Sequence, residues 1–335
     1  MIFRCWLYSW IAVGMAVFVG CQSGKQEEVA EQPKVPKYVP AFSADSAYAY
    51  IEAQVAFGPR VPTTSAHQEC RAYLVSKLEQ FGAEVQLQSF EATAYNGTIL
   101  NLSNIIASYQ LEKSKRILLA AHWDTRPYAD KDSVRTEEPI LGANDGASGV
   151  AVLLEIARAI SQDSLLDVGI DIILFDGEDY GEPEDYKEQT SESSQQVYWC
   201  LGSQYWAKNK HQPRYSAYYG IVLDMVGAKN AAFYREGVSQ QAAPSVLKRI
   251  WDAAHQLGHG QYFIYKDSPD IIDDHVYVNY QAKIPMVDII DHDPSSDFYF
   301  GYYHHTHADD MEIIDRETLE AVGETVMYVV YHELI

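Results

Sequence analysis

The sequence predicts an α/β fold, a single domain in which a mostly parallel, twisted central sheet is flanked by helices. Three observations lead there. Runs of strand length, RILLAAH, GIDIILF, YGIVL and IPMVDII, are too uniformly apolar for strands with one solvated face. Segments with helical apolar spacing lie between them, and such alternation builds a parallel sheet covered on both sides. Acidic residues and histidines directly follow several runs: His122 and Asp124, then Glu178 and Asp179, then Asp224. Open α/β sheets bind their ligands beyond the carboxyl ends of the strands, so these tips mark a candidate site.

In chain order, the body opens with a helix near 43–57 and the stiff segment FGPRVP. AHQECRAYLVSKLEQFG (66–82) is a helix with Cys70, Leu74, Leu78 and Phe81 on its apolar face, stopped by Gly82. EVQLQSF (84–90) and ILNLSNIIASY (99–109) alternate enough to be strands. RILLAAHWD (116–124) is a buried central strand, and GASGVAVLLEIARAI (146–160) a helix. DVGIDIILF (167–175) and YYGIVLDMV (218–226) are further buried strands, and SVLKRIWDAAHQLG (245–258) is a helix that Gly258 ends. IPMVDII (284–290) is a fourth buried strand and ETLEAVGETVMYVVYHEL (317–334) a closing amphipathic helix. EDYGEPEDYKEQTSESSQQ (178–196) lacks periodicity and reads as a solvated acidic loop beside the site.

The chain has 335 residues, 47% of them apolar, and a formal net charge of −22. That charge argues against nucleic acid, whose phosphates need basic patches, and suits cationic partners such as free amines. MIFRCWLYSWIAVGMAVFVG is apolar with one arginine, which by itself could be a membrane-spanning helix. The small residue before Cys21 and the polar QSGKQEEVAEQ after it favour a bacterial lipoprotein signal, cleaved ahead of a lipidated cysteine. The expected organisation is a leader over 1–20, a flexible tether over 21–42 and a catalytic domain over 43–335, exported and anchored by lipid at a bacterial membrane, facing the periplasm or the cell surface. Cys70 and Cys200 remain in the body, and a disulfide between them is permitted but not required.

The residue types at the tips suit a metal. Catalytic zinc takes three protein ligands from histidine and carboxylate and keeps one position open. Asp145 in the GANDGASG turn, Asp179 and His305 supply that set, although His304 and His307 leave the histidine ambiguous. Asp145 could instead cap the following helix. Glu178 precedes Asp179, and in an extended segment adjacent side chains point opposite ways. One carboxylate can then bind metal while the other serves as general base and acid.

HWD (122–124), GANDGASG (142–149), DGED (176–179), LDMVG (223–227) and HTHAD (305–309) together resemble the zinc aminopeptidase superfamily that also contains glutaminyl cyclases. FGPRVPTTSAHQ (57–68), the insertion after DGED, LGSQYWA (201–207) and IIDDHVYV (271–278) resemble the bacterial cyclases related to the animal enzyme. The resemblance implies one zinc on Asp145, Asp179 and His305, Glu178 as proton shuttle, and Asp224 and Asp273 completing a carboxylate network. It implies peptides or proteins with N-terminal glutamine as substrates, closed to pyroglutamate with release of ammonia. Position 179 is Asp where many relatives have Glu, and position 304 is His where the animal cyclases have Trp, so the aromatic pocket does not carry over directly. Trp199, Ile272 and Phe300 are the candidate substrate-pocket residues. Two alternatives stand beside the cyclase: an aminopeptidase, with a second metal on His122 and Asp224 and water as nucleophile, and a catalytically inactive surface lipoprotein.

Overall fold

The apolar runs form the centre of a six-stranded sheet in the order β1-β2-β4-β3-β5-β8. Its strands are β1 (Glu84–Thr93), β2 (Ile99–Tyr109), β3 (Arg116–His122), β4 (Gly169–Phe175), β5 (Tyr219–Asp224) and β8 (Met286–Ile290). The computed structural model describes residues 38–162, 166–183, 197–296 and 299–333. The leader, Cys21, the tether to residue 37 and residues 184–196 of the acidic loop lie outside them.

Strands β4, β3, β5 and β8 are parallel to one another. The other side of the sheet is antiparallel: β1 pairs with β2 and β2 with β4. A hairpin thus closes the edge of the sheet, and parallel pairing is confined to the side that carries the site. A short parallel pair, β6 (Phe233–Arg235) and β7 (Phe263–Asp267), stands apart from the sheet and has no clear signal in the sequence.

Side-chain alternation sorts the central strands onto two faces. Ile117, Leu119 and Ala121 of β3 join Ile170, Ile172 and Leu174 of β4 on one face, in a core completed by three helices. These are α1 (Ala44–Val55), α3 (Ala147–Ser161) and α8 (Arg316–Tyr331). Cys70, Leu74 and Leu78 of α2 (Ser65–Gln80) and Ile250 and Trp251 of α6 (Pro244–Leu257) extend that core. Leu118, Ala120, Ile173 and Phe175 face the other way, onto Trp206 of α4 (Leu201–Lys208) and Tyr277 of α7 (Asp274–Tyr277). Burial on both faces is why these strands read as continuous apolar runs. Between α5 (Gly237–Ala242) and β8 the chain makes a π-helical turn at Val278–Ala282 that follows α7 directly. Cys70 and Cys200 are both buried free thiols. Among the described residues no helix is long and apolar enough to cross a membrane.

Candidate active site

The parallel strands all end on one side, and the acidic tips meet there. β3 ends at His122, whose Nε2 lies 3.1 Å from Asp145 Oδ1 and 3.1 Å from Asp224 Oδ1 at the end of β5. Asp145 precedes α3 at a turn where Gly146 has φ +89°; a Cβ there would stand 2.8 Å from the Asp124 carbonyl oxygen. Gly146, not Asp145, holds the N-cap position, so the Asp145 carboxylate is not spent on capping. Asp309 accepts the backbone N–H groups of Asn144 at 2.6 Å and Asp145 at 3.0 Å, fixing the turn from the far end of the chain.

Glu178 and Asp179 diverge for a different reason than strand alternation. β4 ends at Phe175, and residues 176–179 form a bend with Gly177 at φ +72°. Asp124 receives both backbone amides of that bend, Glu178 N–H at 3.0 Å and Asp179 N–H at 3.2 Å. The bend and the amide clamp, not an extended backbone, separate the two carboxylates.

Asp145, Asp179 and His305 converge. His305 Nε2 lies 3.2 Å from Asp179 Oδ1 and 3.8 Å from Asp145 Oδ2. His305 sits at φ +59°, a left-handed conformation uncommon outside glycine and concentrated at functional sites. His304 stacks on it with ring centroids 3.7 Å apart, and its Nδ1 is 3.0 Å from Lys131 Nζ. The group of three within ligand spacing here is Asp145, His304 and His305, without Asp179, but the Lys131 ammonium occupies one His304 ring nitrogen. His307 turns away, toward the Arg135 carbonyl oxygen.

The electrostatics of this cluster suit a divalent cation. Burial pushes the Asp179 carboxyl well above the usual carboxylate range, and the Asp145 charge adds to it. Both Asp179 oxygens are buried and neither takes part in a hydrogen bond. Burial acts on Asp145 in the same sense, but hydrogen bonding and charge from His122 outweigh it and hold that carboxyl below its ordinary value. Burial, with Arg126 and Lys131 adding, lowers His305 well below the usual imidazole range, which leaves the ring neutral with a lone pair to give. A divalent ion would relieve the paired carboxylates and use that lone pair. Carboxylate and imidazole are both ligand types that zinc accepts, and three of them leave a position open.

Glu178 stays outside this triad, on the wall of a cavity of about 480 Å³ shared with Asp224 and Asp273. Burial pushes its carboxyl well above the ordinary range. Burial also raises Asp224 to about 7, against the pull of His122. Asp273 caps α7, accepting the N–H of Asp274, and comes within ligand spacing of Glu178 and Cys200. Trp199, Ile272 and Phe300 line the same cavity. Trp199 lies parallel to His305 at 5.9 Å, whereas Ile272, 67% exposed, forms the mouth.

Several residues that support the site are not marked for that role by the sequence. Arg126 is fully buried, pairs with Asp130 at 2.6 Å, donates to the Asp179 and Gly181 carbonyl oxygens and lies 4.6 Å over Trp199. It staples the start of the acidic loop to its end. Asp124 and Asp309 fall inside HWD and HTHAD, but their role as amide clamps is visible only in three dimensions.

Comparison with known proteins follows the same lines. Residues 104–330 match peptidase family M28. The chain is 53% identical to Tannerella forsythia glutaminyl cyclase, across 88% of this chain and 100% of that one, with a TM-score of 0.84. A Zn-dependent exopeptidase from Parabacteroides distasonis gives the same 53% identity, coverages of 88% and 100% and TM-score of 0.84. The glutaminyl-peptide cyclotransferase of Dictyostelium discoideum is 24% identical over 312 residues, 79% of this chain and 78% of that one.

Proposed function

The chain belongs to peptidase family M28, and within it we propose that it is a glutaminyl-peptide cyclotransferase that turns N-terminal glutamine into pyroglutamate. The observation that carries this reading is the 53% identity to a glutaminyl cyclase over that protein's whole length. The site is consistent with it: a carboxylate free of the ligand triad stands on the wall of an acidic cavity of about 480 Å³.

The acidic wall attracts the substrate's N-terminal ammonium, which gives its extra proton to solvent to become the reactive amine, and Trp199 and Phe300 confine the side chain so that it folds back on that amine. Nucleophile and electrophile then belong to one residue, and binding only has to fix a rotamer. The Glu178 carboxylate accepts a proton from the α-amine as that nitrogen attacks the γ-carbonyl carbon. A new C–N bond closes the ring, Glu178 returns the proton to the amide nitrogen, the old C–N bond breaks and ammonia leaves. A zinc ion held by Asp145, Asp179 and His305 would supply polarisation of the γ-carbonyl. Burial raises the proton affinity of Glu178, which helps it hold the proton between the two transfers. Asp224 and Asp273 line the same cavity as Glu178, close to the path of that proton.

A second reading has one observation in its favour. His122, Asp145 and Asp224 offer ligand atoms within 4.8 Å of one another, a group that could hold a second ion as in an aminopeptidase. Incubation with a peptide beginning in glutamine separates the two. Cyclisation leaves a peptide lighter by one ammonia and releases no amino acid, whereas free glutamine without ammonia would make the chain an aminopeptidase. The proposal extends to location: the apolar leader and Cys21 support export and a lipid anchor that holds the enzyme at a bacterial membrane.

A further inference from the structure

The segment that resumes after the acidic loop docks directly on the candidate base. Cys200 N–H donates to the Glu178 carbonyl oxygen at 2.9 Å, and Leu201 N–H to that of Gly177 at 3.0 Å. Cys200 is fully buried at the start of α4, in the left-handed conformation with φ 55° and ψ 37°. That backbone turns its side chain inward, and Sγ lies 3.2 Å from Glu178 Oε1. Glu178, Cys200 and Asp273 place ligand-type atoms within 4.8 Å of one another, so two carboxylates and one thiol share a small volume.

We propose that Cys200 is a positioning residue for the reaction, its thiol donating to Oε1 of Glu178 so that the other carboxylate oxygen is held toward the substrate's amine. The inference rests on Glu178 being the proton carrier. Two neighbouring carboxylates repel and would otherwise leave Glu178 free to turn; a neutral donor fixed by a strained backbone chooses one rotamer. Burial, reinforced by Glu178 and Asp274, keeps the thiol protonated far above its usual range, so it remains a donor. A thiol is also a weak donor. It orients the carboxylate without adding a charge beside it. The backbone bonds from 200 and 201 to 178 and 177 make the orientation depend on where the acidic loop ends.

The test compares Cys200→Ala, which removes the donor, with Cys200→Ser, which keeps one; both retain a Cβ on the left-handed backbone. Steady-state kinetics of ammonia release from a glutamine-initiated peptide, zinc content and melting temperature are measured for each. Cys200→Ala should lower kcat about 10-fold, the loss of one hydrogen bond to a charged group, with KM within about 2-fold and zinc content unchanged. Cys200→Ser should regain most of that loss. If the Ala variant does not fold, Cys200→Gly takes its place, because glycine accepts this backbone best. The proposal is overturned if the donor-less variant keeps its kcat within about 2-fold of the parent, or if Ser and Ala are equally slow and equally destabilised. Glu178→Gln is assayed alongside. A fully active Gln variant removes the base assignment itself, whereas an inactive Gln variant beside a full-rate Ala variant removes only the role of the thiol.

Discussion

Glu178 and Asp179 are chain neighbours with the same charge, and their surroundings give them different work. Asp179 faces Asp145 and a neutral His305, whereas Glu178 faces the cavity with Cys200 and Asp273 beside it. Glu178→Gln keeps the shape and the hydrogen bonding and removes only the ability to take a proton. It should retain the parent's zinc content and melting temperature and lose at least ~100-fold in kcat. Full activity in that variant would assign the proton transfer elsewhere. The candidate ligands Asp145 and Asp179 were legible beside glycine turns, whereas His305 could not be told from His304 and His307 by residue type. The supports of these residues were not legible. Asp309 receives the amides of Asn144 and Asp145, 165 and 164 positions away, and no local pattern encodes such a bond. For Cys200 the sequence offered only a permitted disulfide with Cys70, since its meaning lies in a backbone conformation and a neighbour 22 residues earlier.

At the scale of elements, the strands and long helices were legible from periodicity, and the irregular pieces were not. The central strands bury both faces, which leaves an unmistakable apolar run. β6, β7 and α7 are short and held by side chains from elsewhere, so propensity does not reveal them. Glu236 shows how such pieces are tied. It caps α5 by accepting the N–H groups of Val238 and Ser239, each at 2.7 Å, receives Ile271 N–H at 3.1 Å and pairs with His275 Nε2 of α7 at 3.1 Å. One carboxylate thus fastens α5 to the segment that carries Ile272 and Asp273. Burial alone would raise its pKa, but the His275 contact and the amide donors dominate and lower it from 4.5 to about 2. The folded state therefore binds this proton more weakly than the unfolded chain. The stabilisation is complete above the unfolded value and is lost as pH falls from about 4.5 toward 2. Melting temperatures followed from pH 6 down to 3 should show a steeper acid decline in the parent than in Glu236→Gln, which starts lower and varies less. Parallel curves would show that Glu236 does not couple these elements to acid.

Across the whole molecule, the anchor and the metal each give a measurable property. If Cys21 carries lipid, the parent expressed in a bacterium partitions into detergent and Cys21→Ser partitions into water with catalytic activity intact; identical partitioning would exclude the anchor. The metal prediction follows from chain topology. Asp145, Asp179 and His305 come from three separate crossings, so a zinc ion held by them would bind the native state far more tightly than the unfolded chain. Free zinc at about 100 times its dissociation constant then contributes about 2.7 kcal/mol. For a chain of this size that corresponds to a melting temperature higher by roughly 5 °C or more, and a chelator should remove the increment reversibly. The stoichiometry discriminates between the two enzymes that share this fold. In a cyclase with a single ion, Asp179→Asn abolishes stoichiometric zinc while Asp224→Asn retains about one equivalent and is slowed in turnover. In a two-metal aminopeptidase the parent holds about two equivalents and Asp224→Asn loses one of them. The decisive quantity is the zinc content of the Asp224 variant relative to its parent: an unchanged ratio supports His122 and Asp224 as hydrogen-bonding partners of the site, and a halved one makes them ligands.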